Sequence, residues 1–134
     1  MNWIRIGAIL GGTGVAIGAF GAHALPAWLE STGLDDVTVT RRIEAFHAGV
    51  RYQLIHALAL LCVGILSAER SDIWQGRAGT CFTLGVVVFS GLLYALTLTG
   101  VTYLGRIVPV GGLLMICGWL CLARSTVGAP ARTR

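Results

Sequence analysis

Four long apolar runs dominate the chain, and short polar or turn-forming stretches separate them. They cover residues 4–25, 49–68, 78–100 and 103–123. A helix that crosses a bilayer core needs about 20 apolar residues, and each run has that length. The pattern therefore predicts an all-α fold, a four-span transmembrane helical bundle over residues 1–124 with a flexible tail over 125–134. Pro26 closes the first run, and the polar stretch from Glu69 to Arg77 reads as a loop. The connection between Gly100 and Gly105 is so short that the third and fourth spans should form an antiparallel hairpin.

Between the first two spans the periodicity changes. Asp35 or Asp36 can cap a helix. After them Val39, Ile43, Phe46 and Val50 recur at spacings of four, three and four, leaving Arg42 and His47 off the apolar stripe. This predicts a short interfacial helix over 36–51 that turns into, or continues as, the second span.

Nineteen residues are glycine, about twice the ~7% usual in proteins. Gly7, Gly11, Gly14, Gly18 and Gly21 repeat at four, three, four and three along the first span. Lipid provides no hydrophobic drive between helices, so close packing must hold them together. The stripe is thus a helix-packing face for a neighbouring span or for a second copy of the chain. The glycine pattern around Gly12, Gly14 and Gly18 lacks the strand and spacing of a nucleotide-binding loop.

Composition narrows the class. Hydrophobic residues make up 55% of the 134 positions and charged residues 12%, against ~25% charged in soluble domains; mean hydropathy is +0.77. Disordered chains, coiled coils and nucleic-acid-binding domains need more charge. The partner this implies is the lipid bilayer. All ten basic residues are arginine, and the net charge is +4. Arg5, Arg70, Arg77, Arg124, Arg132 and Arg134 fall on one side of the predicted topology, and Arg41, Arg42, Arg51 and Arg106 on the other. The bias favours both termini in the cytoplasm. Asn2 to Arg5, the apolar run and Ala22-His23-Ala24 mimic a signal peptide, but the run exceeds a ~7–15-residue signal core and three more spans follow.

Polar groups within a span are costly, so each is a candidate for function. His23, Tyr52, Gln53, His56, Ser90 and Tyr94 fall towards the outer half of the predicted bundle, with Arg51, Arg106 and Pro109 at its outer turns. Two readings follow. The groups satisfy one another across helices as a hydrogen-bonded clasp, or they line a pocket for a headgroup, a quinone or a proton relay through His56. His23, His47 and His56 have no haem-pair spacing. Cys62, Cys81, Cys117 and Cys121 fit small apolar core residues, with no carboxylate or histidine to complete a metal site. No nucleophile has a charged orienter and no carboxylates pair. The expectation is no catalytic site, no metal and no cofactor.

Gly18-Ala19-Phe20-Gly21-Ala22-His23-Ala24-Leu25 resembles the first-helix signature of the YgdD-like family of small multi-pass membrane proteins of unknown function. Val50 to Gln53, His56 to Leu60, Phe89-Ser90-Gly91, Tyr94, Pro109 to Gly112 and Gly118-Trp119 continue the resemblance in order. Leu92 and Val108 depart from it by removing hydroxyls. The resemblance implies a four-span bundle in a bacterial inner membrane with no established enzyme activity. The sequence thus reads as a structural or accessory membrane component, self-associated or bound in a larger complex. The alternative is a small transporter or a lipid- or quinone-binding protein that uses the outer polar pocket.

Overall fold

The computed structural model describes residues 1–69 and 72–125. Five helices follow in order: α1 (Trp3–His23), α2 (Leu25–Glu30), α3 (Asp36–Glu69), α4 (Ile73–Thr99) and α5 (Leu104–Arg124). No strand occurs among the described residues. Four helices, α1, α3, α4 and α5, are long and apolar enough to cross a membrane. The tail expected over 125–134 lies outside the described residues beyond Ser125.

Helix lengths follow from the apolar runs and their caps. At ~1.5 Å per residue, α1 and α5 are each about 31 Å long, close to the ~30 Å core of a bilayer. Helix α3 has 34 residues and is about 51 Å long, so it must project beyond that core. The short helix between the first two spans is α2, separated from α1 at Ala24. Leu25 begins this helix and Pro26 follows in its first turn, where its missing N–H is not needed.

The segment over 36–51 is continuous with the second span rather than separate from it. No proline breaks the apolar stripe, which runs on from Val50 to Ala57 and Leu60. Val39, Phe46 and Val50 are buried against Leu25 and Leu29 of α2 instead of lying in headgroups. Asp35 caps α3. Its carboxylate accepts from the Thr38 N–H at 3.0 Å and the Thr38 hydroxyl at 2.7 Å. The hydroxyl bond, with the N–H bond beside it, holds the carboxyl below its usual 3.8.

The loop expected from Glu69 to Arg77 is shorter than the polar stretch. Helix α4 starts at Ile73 because Asp72 and Gln75 form a reciprocal capping box. Gln75 is buried, and its side-chain oxygen accepts from the Asp72 N–H at 3.2 Å. At its other end α4 stops on Gly100, whose φ of 74° suits a residue without a side chain.

Helix α1 packs on α3, α3 on α4, and α4 on α5. Helix α3 is the most buried of the spans. Two apolar cores form along it. Leu25, Leu29, Val39, Phe46 and Val50 cluster near α2. Trp3, Ala59, Leu60, Val63, Ala78 and Phe82 cluster near the end where α1 begins and α5 finishes, called here the terminal end.

The glycine stripe of α1 faces α3 of the same chain. A methyl group on Gly7 would stand 2.8 Å from the Ala57 carbonyl oxygen, one on Gly14 2.8 Å from Leu54 Cδ2, and one on Gly21 2.7 Å from the Phe46 ring. Gly18 meets Val50 at 3.1 Å, whereas Gly11 has an ordinary 3.9 Å contact with Ala57. Of the two partners the stripe admits, the neighbouring span fills it.

Candidate functional site

The polar residues of the spans link helices in pairs. Gln53 of α3 bridges two neighbours. Its Nε2 donates to the Leu10 carbonyl at 2.9 Å and to the Thr13 hydroxyl at 3.1 Å on α1. Its Oε1 accepts from the Tyr94 hydroxyl of α4 at 2.9 Å. All three hydrogen-bonding groups of a buried amide are engaged. That satisfies a side chain which would otherwise carry a large desolvation cost.

A second link lies between α3 and α4. The Ser90 hydroxyl donates to the Gly49 carbonyl at 2.8 Å. Gly49 leaves room for this approach, since the Tyr94 ring lies 2.8 Å from where its Cβ would stand. Further along, the Thr97 hydroxyl contacts the carbonyls of Arg42 at 3.1 Å and Leu93 at 2.9 Å. Arg42 Nη1 donates to the Thr97 carbonyl at 3.4 Å. The guanidinium covers Gly100 at the carbonyl-rich end of α4, where a helix dipole favours a cation.

His56 lies towards the terminal end and is buried in an aromatic cage. Its ring stands 5.4 Å from Phe82 and 6.0 Å from Trp119, and is stacked on Tyr52 at 6.1 Å. Trp119 Nε1 donates to His56 Nε2 at 3.3 Å, while His56 Nδ1 faces the Tyr52 carbonyl at 2.8 Å. An indole N–H only donates and a carbonyl only accepts. The pair of contacts therefore selects the neutral imidazole with its proton on Nδ1. His56 thus bridges α3 and α5.

These contacts bring together Gln53, Tyr94, Ser90 and His56 with its Tyr52 neighbour along α3. They do not bring in His23, Arg51, Arg106 or Pro109, which are exposed. Arg106 stands 5.7 Å from the ring of its own neighbour Tyr103. The engaged groups are strung along α3, from Arg42 near α2 to His56 towards the terminal end. Spread in this way, they do not enclose one pocket in the outer half. Among the described residues no buried side-chain nitrogen or oxygen lacks a hydrogen-bond partner.

Thr97 continues the α4 face of Ser90 and Tyr94 in the sequence; three other participants were absent from the sequence candidates. Thr13 sits inside a glycine-rich run, Arg42 lies off the apolar stripe, and Trp119 is 46% exposed. Trp119 had one usable signal, an indole N–H in an apolar helix that needs an acceptor. The four cysteines are free thiols, with Cys62 and Cys117 exposed. Among the described residues no three His, Cys, Asp or Glu side chains gather closely enough to hold a metal ion.

One cavity touches the polar links. A groove of about 390 Å³ opens between α1 and α4 and is lined by Ile17, Phe20, Phe46, Tyr94 and Leu98 together with Ala16. It is almost wholly apolar, with the Tyr94 ring in its wall.

The fold and its interhelical links define a four-span helical membrane protein. The chain belongs to the family described as Protein of unknown function (DUF423), which matches residues 17–112. It is 41% identical to a UPF0382 membrane protein of Staphylococcus haemolyticus over 92% of this chain and 93% of that one. It is 36% identical to the UPF0382 membrane protein YwdK of Bacillus subtilis, over 93% and 95% of the two chains. It is 34% identical to the UPF0382 inner membrane protein YgdD of Escherichia coli, over 84% and 79%. No solved structure matches.

Proposed function

We propose that this protein is a structural or accessory component of a bacterial inner membrane, neither an enzyme nor a conduit. The supporting observation is the engagement of Gln53, Ser90, Tyr94, Thr97 and His56 with other helices. A transport path or substrate site needs polar groups that can exchange partners, whereas these serve to fix helix positions. The experiment places the protein in vesicles and compares it with the Gln53→Leu/Tyr94→Phe variant. A loss of thermal stability with no change in proton or solute flux is expected. A flux that depends on the wild-type protein and disappears in the variant overturns the reading.

In this proposal both termini are cytoplasmic. Six of the ten arginines then lie on the cytoplasmic side, in line with the positive-inside rule. Thr102→Cys should react with an impermeant thiol reagent from outside the cell, and Ser71→Cys should not. The opposite result inverts the topology. Any larger assembly, whether a second copy or another membrane protein, must use faces other than the glycine stripe already filled by α3.

The apolar groove beside Tyr94 favours a second reading, in which a lipid chain or quinone ring lies between α1 and α4. Extraction of protein purified from native membranes decides between them. One quinone or lipid species in a one-to-one ratio that is lost in Phe20→Trp supports the second reading. A bulk-like lipid mixture removes it.

A further inference from the structure

Three of the four free thiols lie where α4 and α5 pass each other at the terminal end. Glycines set how closely the two helices approach there. A methyl group on Gly85 would stand 2.7 Å from the Met115 side chain, and one on Gly118 2.5 Å from the Phe82 ring. Cys81 precedes Phe82 on α4, and Cys121 lies about one turn past Gly118 on α5. The register of the pair therefore places the two cysteines beside each other. The packing agrees, since Cys121 rests on the apolar cluster that contains Ala78 and Phe82. Its thiol lies within hydrogen-bonding reach of the Cys81 thiol, and Cys117, a turn earlier on α5, is the next neighbour.

A small apolar filler accounts for a cysteine that is enclosed. Neither of these is enclosed, for Cys81 and Cys121 are both half-buried. Cys81 opens on a groove of about 530 Å³ beside the start of α4, whose wall also carries Asp72, Arg77 and Thr80. Charges of both signs and a hydroxyl in that wall admit water and small polar solutes to the thiol. Enclosed structural cysteines are inert, whereas cysteines that react are partly exposed. A second thiol within reach gives the first one a partner in oxidation.

We propose that Cys81 and Cys121 form a redox-controlled disulfide that ties α4 to α5. The oxidant is a peroxide. The Cys81 sulfur, reached through the groove, loses its proton and attacks one oxygen of hydrogen peroxide. The O–O bond breaks, a water leaves, and Cys81 becomes a sulfenic acid. The Cys121 sulfur then displaces the sulfenic hydroxyl as a second water, and the S–S bond forms. In all, two thiols give up two electrons and two protons, and one peroxide is reduced to two waters. A thiol reductant reverses the link by exchange. The disulfide closes the α4–α5 hairpin at the end opposite its turn at Gly100. It also fixes the stretch of α5 that carries Trp119, the residue bonded to His56 of α3. The pair stands apart from the polar links of α3 and from the groove beside Tyr94.

The test exposes the purified full chain in detergent to hydrogen peroxide, blocks the remaining thiols with N-ethylmaleimide and maps the peptides by mass spectrometry. Two of the four thiols should be lost together, in one peptide pair that joins Cys81 to Cys121 within a single chain. Dithiothreitol should restore both. Cys62→Ser/Cys117→Ser should form the same link, and Cys121→Ser should form none. The proposal is overturned if all four thiols stay free, or if Cys81 or Cys121 passes to a sulfinic acid without a link. A link through Cys62 or Cys117, or between two chains, also overturns it. If a variant does not fold, the peptide map of the wild type decides alone. The same map from cells given peroxide should show the Cys81–Cys121 link, and a chain that stays fully reduced there overturns the redox control.

Discussion

Gly7 and Gly12 lie on the same helix and differ in what faces them, which makes them a matched test of the packing. A methyl group on Gly7 would meet the Ala57 carbonyl oxygen at 2.8 Å and the Leu61 backbone nitrogen at 3.1 Å. Both are backbone atoms of α3, so no rotamer change can relieve the contact and the helices must separate. A methyl group on Gly12 meets nothing within 4 Å. Alanine in a helix gains up to about 1 kcal/mol over glycine at either position. Overpacking costs about 1–3 kcal/mol. Gly12→Ala should therefore be neutral or stabilising by up to about 1 kcal/mol. Gly7→Ala should be destabilising by up to about 2 kcal/mol once the propensity gain is subtracted. At a few degrees per kcal/mol for a chain of this size, the two variants should melt roughly 5–10 °C apart. Thermal unfolding in one detergent, followed by circular dichroism, measures the gap. Equal melting temperatures would show that α1 does not pack through its glycine face and would refute the assignment of α3 as its partner.

Three further outcomes are expected. In a double-mutant cycle, Gln53→Leu and Tyr94→Phe should couple by about 0.6 kcal/mol, the average for hydrogen bonds in membranes; additive effects would place the amide and the phenol out of contact. Nitrogen-detected NMR should find His56 neutral with its proton on Nδ1, and Trp119→Phe should shift the Nε2 resonance; a proton on Nε2 in the wild type contradicts the cage geometry. Asp35→Ala should speed hydrogen exchange at the Thr38 amide. Because the folded carboxyl titrates below its usual 3.8, the cap operates fully above that value and is lost as pH falls through the lower folded one. Exchange protection, corrected for intrinsic rates, that stays flat through this window would argue against the cap.

The spans were legible because hydropathy acts over ~20 residues and tolerates local exceptions. The first run, 4–25, became a helix over 3–23 followed by a short helix that starts at Leu25, just before Pro26. The start of α4 was legible in principle, since Asp72 and Gln75 have the spacing of a capping box. It was obscured because Asp72 to Arg77 is polar on average, and an average ignores which hydrogen bonds the residues make. The α3 extension shows the same limit from the other side. Its stripe was clear in the spacing of Val39, Ile43, Phe46 and Val50, but the stripe alone does not say whether lipid or protein covers it. Leu25 and Leu29 of α2 answer that.

The polar links were harder to read for a specific physical reason. Gln53 pairs with the Leu10 carbonyl, Ser90 with the Gly49 carbonyl and Thr97 with the Arg42 carbonyl. Every residue has a carbonyl, so a backbone acceptor leaves no mark in the sequence. Only the donor is visible, and an unpaired donor in a span looks like a vacant site. Gly49 is the clearest case. It has no side-chain chemistry and sits outside the glycine stripe. Yet its carbonyl receives Ser90, and its missing side chain makes room for the Tyr94 ring whose hydroxyl reaches Gln53. One residue without functional groups sets the positions of three that have them. In a packed membrane bundle, then, the residues that decide whether a polar cluster is a site or a clasp are those that let a backbone be approached, and those are the ones a search for reactive side chains passes over.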